Sequence, residues 1–268
     1  MYVWDDTVEE KRYTDKNNVI CYHFDHSVGR SVKSMNILSM AYSNHGITIP
    51  MDYAVVEKPI GVKGKRKAPK TKNQLVREMI NRMSQRAIPY KYFLADIWFN
   101  DKKTLNLVVE KYRKHFVLPV KSNRVVTYQN RQYNVSKMAL GHTPLKVHIN
   151  GLDFPVLLQK KTFVNKDGST GVLYLVSSDE TLTDLYQVYK QRWAIEIFHK
   201  SIKSNGMLSH SPTKVPVTQK NHIFCCIVSF AKMEILKIRK HYSHFELKRK
   251  LYTAALQAAY QTYHSFIL

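Results

Sequence analysis

The sequence predicts an α/β protein: a mixed sheet with flanking helices, interrupted by a β-rich insertion and followed by a helical tail. Three observations carry that class. Over residues 1–121, apolar runs of strand length alternate with helix-period runs, in the order strand, strand pair, helix, strand, helix, strand. From 122 to 178 short extended runs dominate, and from 218 onward two or three helices fit the pattern. The 268 residues suffice for one large domain or two modest ones. They divide into a first part of the sheet core (1–121), the insertion (122–180), a helical return to the core (181–217) and a helical C-terminal region (218–268).

In order, Tyr2-Val3-Trp4 forms a short strand running into Asp5-Asp6-Thr7, followed by a polar excursion to Asn18. Residues 19–24 are a second extended segment. Residues 33–43 and 47–57 pair antiparallel through the turn sequence Asn44-His45-Gly46. A basic loop spans 59–72, with Lys63, Lys65, Arg66, Lys67, Lys70 and Lys72 inside it and Lys58 just before. It is a mobile segment, either simply solvated or a nonspecific phosphate contact. Thr71 or Asn73 caps a helix to about Arg86, with Leu75, Met79, Ile80 and Met83 on its buried side and Pro89 beyond its end. Tyr92-Phe93-Leu94-Ala95 is a strand delivering Asp96. A helix over 102–115 and a strand over 116–121 complete this part.

Within the insertion, residues 125–128, 145–149, 154–164 and 171–176 read as strands, the last two joined by the turn Asn165-Lys166-Asp167-Gly168. Thr183 then serves as an N-cap and Gly206 as a helix stop.

Lys and Arg number 42 against 20 acidic residues, a formal charge of +22, which favours a polyanionic partner. The longest apolar run, 223–231, is interrupted by Ser229 and falls far short of the roughly 20 residues a membrane span needs. With Asp5 and Asp6 close behind Met1, no signal peptide is expected. Cys21, Cys225 and Cys226 give neither a disulfide framework nor a metal spacing. Adjacent Cys225-Cys226 are expected to pack as small buried hydrophobes. His23 and His26 lack a second ligand pair, which argues against zinc. The expected compartment is reducing and intracellular.

The densest chemistry lies between Tyr189 and Lys203. At roughly 100° per helical residue, Tyr189, Arg192, Glu196, Lys200 and Lys203 fall on one arc, while Val188, Ile195, Phe198 and Ile202 form the docking stripe. One carboxylate is thus framed by three cations and a phenol, although Glu196 and Lys200 are also an ordinary i,i+4 pair. The spacing Tyr-x2-Arg-x3-Glu-x6-Lys resembles the signature of the insertion-sequence-four family of bacterial DDE transposases. Asp5-Asp6-Thr7 resembles that family's Asp-x-Thr motif, and Leu94-Ala95-Asp96-Ile97-Trp98-Phe99 its second motif. Asp5 is preferred over Asp6 because it directly ends the apolar run, which leaves Asp6 pointing to the opposite face of the strand.

The resemblance implies a ribonuclease-H-like catalytic domain. It assigns Asp5, Asp96 and Glu196 as the carboxylates that hold two Mg²⁺ ions, with Mn²⁺ as a substitute, converging from distant positions on one metal-sized pocket. It assigns Tyr189, Arg192, Lys200 and Lys203 as contacts to transposon-end phosphates. Trp193 either stacks on a distorted base or packs into the core. The implied activity is strand cleavage at the element's end followed by joining to target DNA, by a homodimer on paired ends, in a bacterial cytoplasm near the nucleoid. Family members usually place a helical end-recognition region before the first Asp, so its absence here implies a truncated or separately encoded recognition function. A noncatalytic DNA-binding remnant, or inhibitor of a full-length enzyme, is the alternative. A general ribonuclease-H-like nuclease is disfavoured by the Tyr-Arg-Glu-Lys signature.

Overall fold

The computed structural model describes residues 1–61, 64–86, 88–165, 167–211 and 213–267. Lys63 of the basic loop and Lys166 of the expected hairpin turn lie outside them. The strands are β1 (Tyr2–Glu10), β2 (Cys21–Asp25), β3 (Arg30–Asn44), β4 (Ile47–Val55), β5 (Tyr92–Ala95), β6 (His115–Val120), β7 (Val125–Tyr128), β8 (Arg131–Asn134), β9 (Leu145–Val147), β10 (Val156–Val164) and β11 (Thr170–Ser177). The helices are α1 (Lys72–Ser84), α2 (Lys102–Asn106), α3 (Leu185–Tyr189), α4 (Trp193–Ser204), α5 (Pro216–Lys240) and α6 (His244–Ile267).

One nine-stranded sheet organises the fold, in the order β2-β3-β1-β5-β6-β11-β10-β9, with β4 also paired to β3. The β1–β5 and β5–β6 pairs are parallel and the rest antiparallel, giving a mixed, ribonuclease-H-like sheet with flanking helices and a helical C-terminal region. Alternation along the central strands creates two cores. Tyr2, Trp4, Phe93 and Phe116 face α1, whose Val76, Met79, Ile80 and Met83 are buried. Val3, Leu94 and Val117 face the other way, toward Ile195, Phe198 and Ile202 of α4 and Phe230 of α5.

Several local expectations hold. Thr71 caps α1 in a reciprocal capping box with Gln74. His45 and Gly46 both take positive φ, as a two-residue turn between twisted strands requires. At Gly206, just past α4, a Cβ would lie 2.8 Å from the Ile202 carbonyl oxygen, so the close approach there needs glycine.

Other elements differ for identifiable reasons. β1 continues to Glu10, so Asp5 and Asp6 sit inside a strand; pairing with β3 through Glu10↔Ser34 overrides the polar composition. The segment 122–180 is not detached from the sheet. β11 pairs with β6, carrying β10 and β9 with it, and only β7–β8 form a separate ribbon. The helix after Asp101 is shorter than expected, passing from α2 into a π-helical turn, Leu107–Lys111. Asp184, not Thr183, caps α3. A 3-10 turn, Lys190–Arg192, breaks the expected continuous signature helix into α3 and α4. Cys21 and Cys226 are buried, but Cys225 is exposed. The basic loop is tied down where it is described: Ile60 bridges to Arg66, whose guanidinium donates to the Asn17 and Lys58 carbonyls.

Phe198 anchors α4 beside Ile195 and Ile202, 1% exposed and edge-on to Phe230 at 4.8 Å between centroids. Phe198→Ala should lower unfolding stability by about 3–5 kcal/mol, measured by urea denaturation, whereas a loss under about 1 kcal/mol would mean that α4 docks elsewhere.

Beside it His199 is buried, and its Nε2 has no hydrogen-bond partner. Burial first, then repulsion from Lys203, pushes its pKa down from 6.5 to about 3. Between those values the unfolded chain takes up a proton that the folded chain refuses, so stability must fall as pH drops. Replacing His199 with Phe should make the fall between pH 6.5 and about 4 shallower by up to about 1.4 kcal/mol per pH unit. Identical slopes in parent and variant would mean that this imidazole does not resist protonation.

Candidate functional site

The site begins with sheet register. Trp4 of β1 lies beside Ala95 of the parallel strand β5, so the residues that follow, Asp5 and Asp96, are lateral neighbours at one end of that strand pair. Asp96 keeps extended backbone angles, φ −77° and ψ 168°, before a 3-10 turn, Ile97–Phe99, begins. Its carboxylate accepts from the Ile97 N–H at 2.6 Å, capping that turn.

Asp5 follows Val3 onto the face covered by α4. Asp6, one residue on, belongs to the opposite face, where Asn36 donates to it at 2.7 Å and Lys72 pairs with it at 2.6 Å. The two adjacent aspartates therefore have different surroundings: Asp6 is held by groups from β3 and α1, and Asp5 meets the signature segment.

That meeting is made by Arg192. One guanidinium nitrogen donates to the Asp5 carboxylate and another to Glu196, each at 2.8 Å. Arg192 and Asp5 are each 16% exposed, while Glu196, in the first turn of α4, is 40% exposed. Burial drives the Asp5 carboxyl up to about 7 against the opposing pull of Arg192, with Asp6 and Asp96 adding repulsion. The guanidinium is held above its ordinary range: burial opposes its charge, but Tyr189, Asp5 and Glu196 outweigh that cost. Tyr189 lies 5.8 Å from the guanidinium, measured to the ring centroid. Burial, assisted by the negative charges of Asp96 and Asp5, pushes its phenol up to about 12 despite Arg192.

The remaining signature residues spread outward. Lys203 donates to the Val8 carbonyl at 2.6 Å and lies 3.7 Å from Glu9. Lys200 is exposed, its ammonium 5.3 Å from the Phe245 ring centroid. Trp193 is 63% exposed, which removes core packing as its role. The segment is thus not a single face of equivalent side chains. Tyr189 and Arg192 turn inward to the sheet, Glu196 sits at the rim, and Trp193 and Lys200 meet solvent.

Asp96 neighbours Asp5, and Glu196 shares Arg192 with Asp5, but the three do not close into a metal-sized cluster. Among the described residues, no three His, Cys, Asp or Glu side chains are placed to hold a metal ion. The physical reason at Asp5 and Glu196 is plain, since the Arg192 guanidinium lies between them. Sequence reasoning placed that guanidinium on DNA phosphates and missed its hold on two carboxylates. Only the i,i+4 relation between Arg192 and Glu196 signalled part of it.

The donor set suits a hard divalent cation. Asp5, Asp96 and Glu196 offer only carboxylate oxygens, and two of them already converge on one positive charge. No described helix is long and apolar enough to cross a membrane.

A family model described as DDE superfamily endonuclease matches residues 2–151, from β1 through β9, a stretch that includes Asp5 and Asp96 and stops before Glu196. No curated protein matches this chain. With more than half of its length matched, and a mixed sheet that sets Asp5 beside Asp96, the chain belongs to the DDE superfamily endonucleases.

Proposed function

We propose that this chain is the catalytic domain of a cut-and-paste transposase similar to the insertion-sequence-four family, cleaving transposon-end DNA and joining the freed 3′ end to target DNA. The observation that carries the reading is the juxtaposition of Asp5, on β1, with Asp96, just past the end of the parallel strand β5, and of Glu196 with Asp5 through Arg192. The charge of +22 supplies the attraction to a polyanion.

In this reading Asp5, Asp96 and Glu196 hold Mg²⁺, or Mn²⁺ in its place. The bound ions supply activation of a hydroxyl nucleophile and charge stabilisation of the departing oxygen. The chain's own residues bind and orient. Arg192 exchanges its carboxylate partners for a DNA phosphate, a bidentate acceptor of similar geometry. Tyr189 steadies the guanidinium from behind, and Lys200 and Lys203 extend the grip along the backbone. Trp193, already exposed, stacks on a displaced base. Two copies act on paired ends. Such work on DNA belongs in the bacterial cytoplasm, by the nucleoid.

The noncatalytic alternative, a DNA-binding remnant, draws on the Arg192 bridge, which could be a permanent structural tie. Substitutions separate the two. Glu196→Gln should abolish Mg²⁺-dependent cleavage of the remaining strand in pre-nicked end DNA while leaving DNA affinity equal or slightly higher, because a negative charge near phosphate is removed. Arg192→Ala should weaken binding to end DNA and slow cleavage by about 10²-fold through misplacement. It should also lower stability, an effect softened because Asp5 can take up a proton once its partner is gone. Cleavage by Glu196→Gln at the parental rate, in a preparation shown to be active, removes Glu196 from the reaction. No metal-dependent cleavage by the parent, with end DNA still bound, supports the remnant.

A further inference from the structure

A second feature lies directly beyond Asp96. The 3-10 turn Ile97–Phe99 buries Phe99 in the core, 1% exposed, and turns Trp98 outward, 54% exposed. Trp98 forms a wall between two cavities. On one side is a space of about 200 Å³ where His26 stacks on the indole at 5.0 Å and 28°. On the other is a cavity of about 530 Å³, open to solvent, in which the Lys121 ammonium sits 4.8 Å from the ring centroid.

The larger cavity has a consistent chemistry. Lys102, Lys121 and Arg124 bring three positive charges, Asn123 and Asn150 bring amides, and among the described residues no acidic side chain lines it. Its volume falls within the roughly 300–1,000 Å³ of small-ligand clefts, the scale of a nucleotide and not of a duplex segment. His26 backs the indole from the smaller cavity, while Lys121 covers it from the larger one with a charge that a flexible side chain can move. A planar ring and a nearby phosphate could replace that contact, the ring stacking on Trp98 and the phosphate meeting Lys121 and Arg124.

We propose that this cavity is a nucleotide subsite for an unpaired base of the DNA strand, held beside the carboxylate end of the β1–β5 pair. It rests on the reading of this chain as a protein that acts on DNA, and it adds a preference: DNA frayed or distorted next to the reacting phosphate is engaged better than intact duplex. The subsite is distinct from Trp193, which lies on α4.

The test is equilibrium binding of a labelled thymidine oligonucleotide and of a fully paired duplex to the full chain, with EDTA present so that cleavage plays no part. Trp98→Leu should weaken single-strand binding about tenfold, and Trp98→Phe should retain most of it. Duplex affinity should change little. Lys121→Gln, at a surface position, should reduce the slope of log affinity against log salt on the single strand by about 0.7, and it keeps the test alive should Trp98→Leu fail to fold. Parental single-strand affinity in Trp98→Leu, or an equal loss on single strand and duplex, overturns the subsite. An unchanged salt slope in Lys121→Gln overturns its phosphate half. Failure of the wider DNA reading shows separately, as a parent chain that binds neither DNA.

Discussion

The bridge from Arg192 to Asp5 and Glu196 is the contact on which the arrangement of the site depends. Asp5 lies in the first strand and Arg192 nearly two hundred residues later, so the contact joins the start of the chain to the entry of α4. It is largely removed from water at both Arg192 and Asp5. A buried pair of this kind contributes little net stability relative to apolar packing, but removing one partner typically costs about 3–5 kcal/mol because the other is stranded. Its specificity is what matters here. It fixes the turn before α4 and holds Glu196 on the side of the sheet where Asp5 and Asp96 emerge.

The bridge also sets a conflict that makes the site chemically responsive. Burial raises the Asp5 carboxyl to about 7 even with a guanidinium in contact. One charge shared with Glu196 does not fully satisfy a carboxylate in that setting, and Asp96 beside it adds repulsion. More positive charge at this end of the β1–β5 pair would relieve the conflict. The proposed function uses that property: Asp5, Asp96 and Glu196 would hold the divalent cations, and Arg192, no longer needed to neutralise Asp5 and Glu196, would be free to meet a phosphate. Asp6, on the other face, takes no part in the bridge and is paired with Lys72 and Asn36 instead.

Much of this was legible in the sequence because it is local. The run Tyr92–Ala95, the cap at Thr71 and the turn at His45-Gly46 each follow from residue types within a few positions. The alternation that separates Asp5 from Asp6 needs only the two-residue period of a strand. What was not legible depends on pairing across long separations. The strand status of Glu9 and Glu10 comes from β3, and the entry of β10 and β11 into the central sheet comes from β6. The 3-10 break at Lys190–Arg192 shifts side chains that an unbroken helix would align. The carboxylate partners of Arg192 were hidden because one of them is remote in sequence, and a signature read along one helix cannot show what that helix faces.

The most direct measurement is anomalous diffraction from crystals of the chain bound to pre-nicked end DNA and soaked with Mn²⁺. Mn²⁺ should contact the carboxylates of Asp5 and Asp96, with Glu196 turned toward it and the Arg192 guanidinium on a DNA phosphate. Mn²⁺ bound away from these carboxylates, with Arg192 still bridging Asp5 and Glu196 while DNA is in place, would contradict the proposed function.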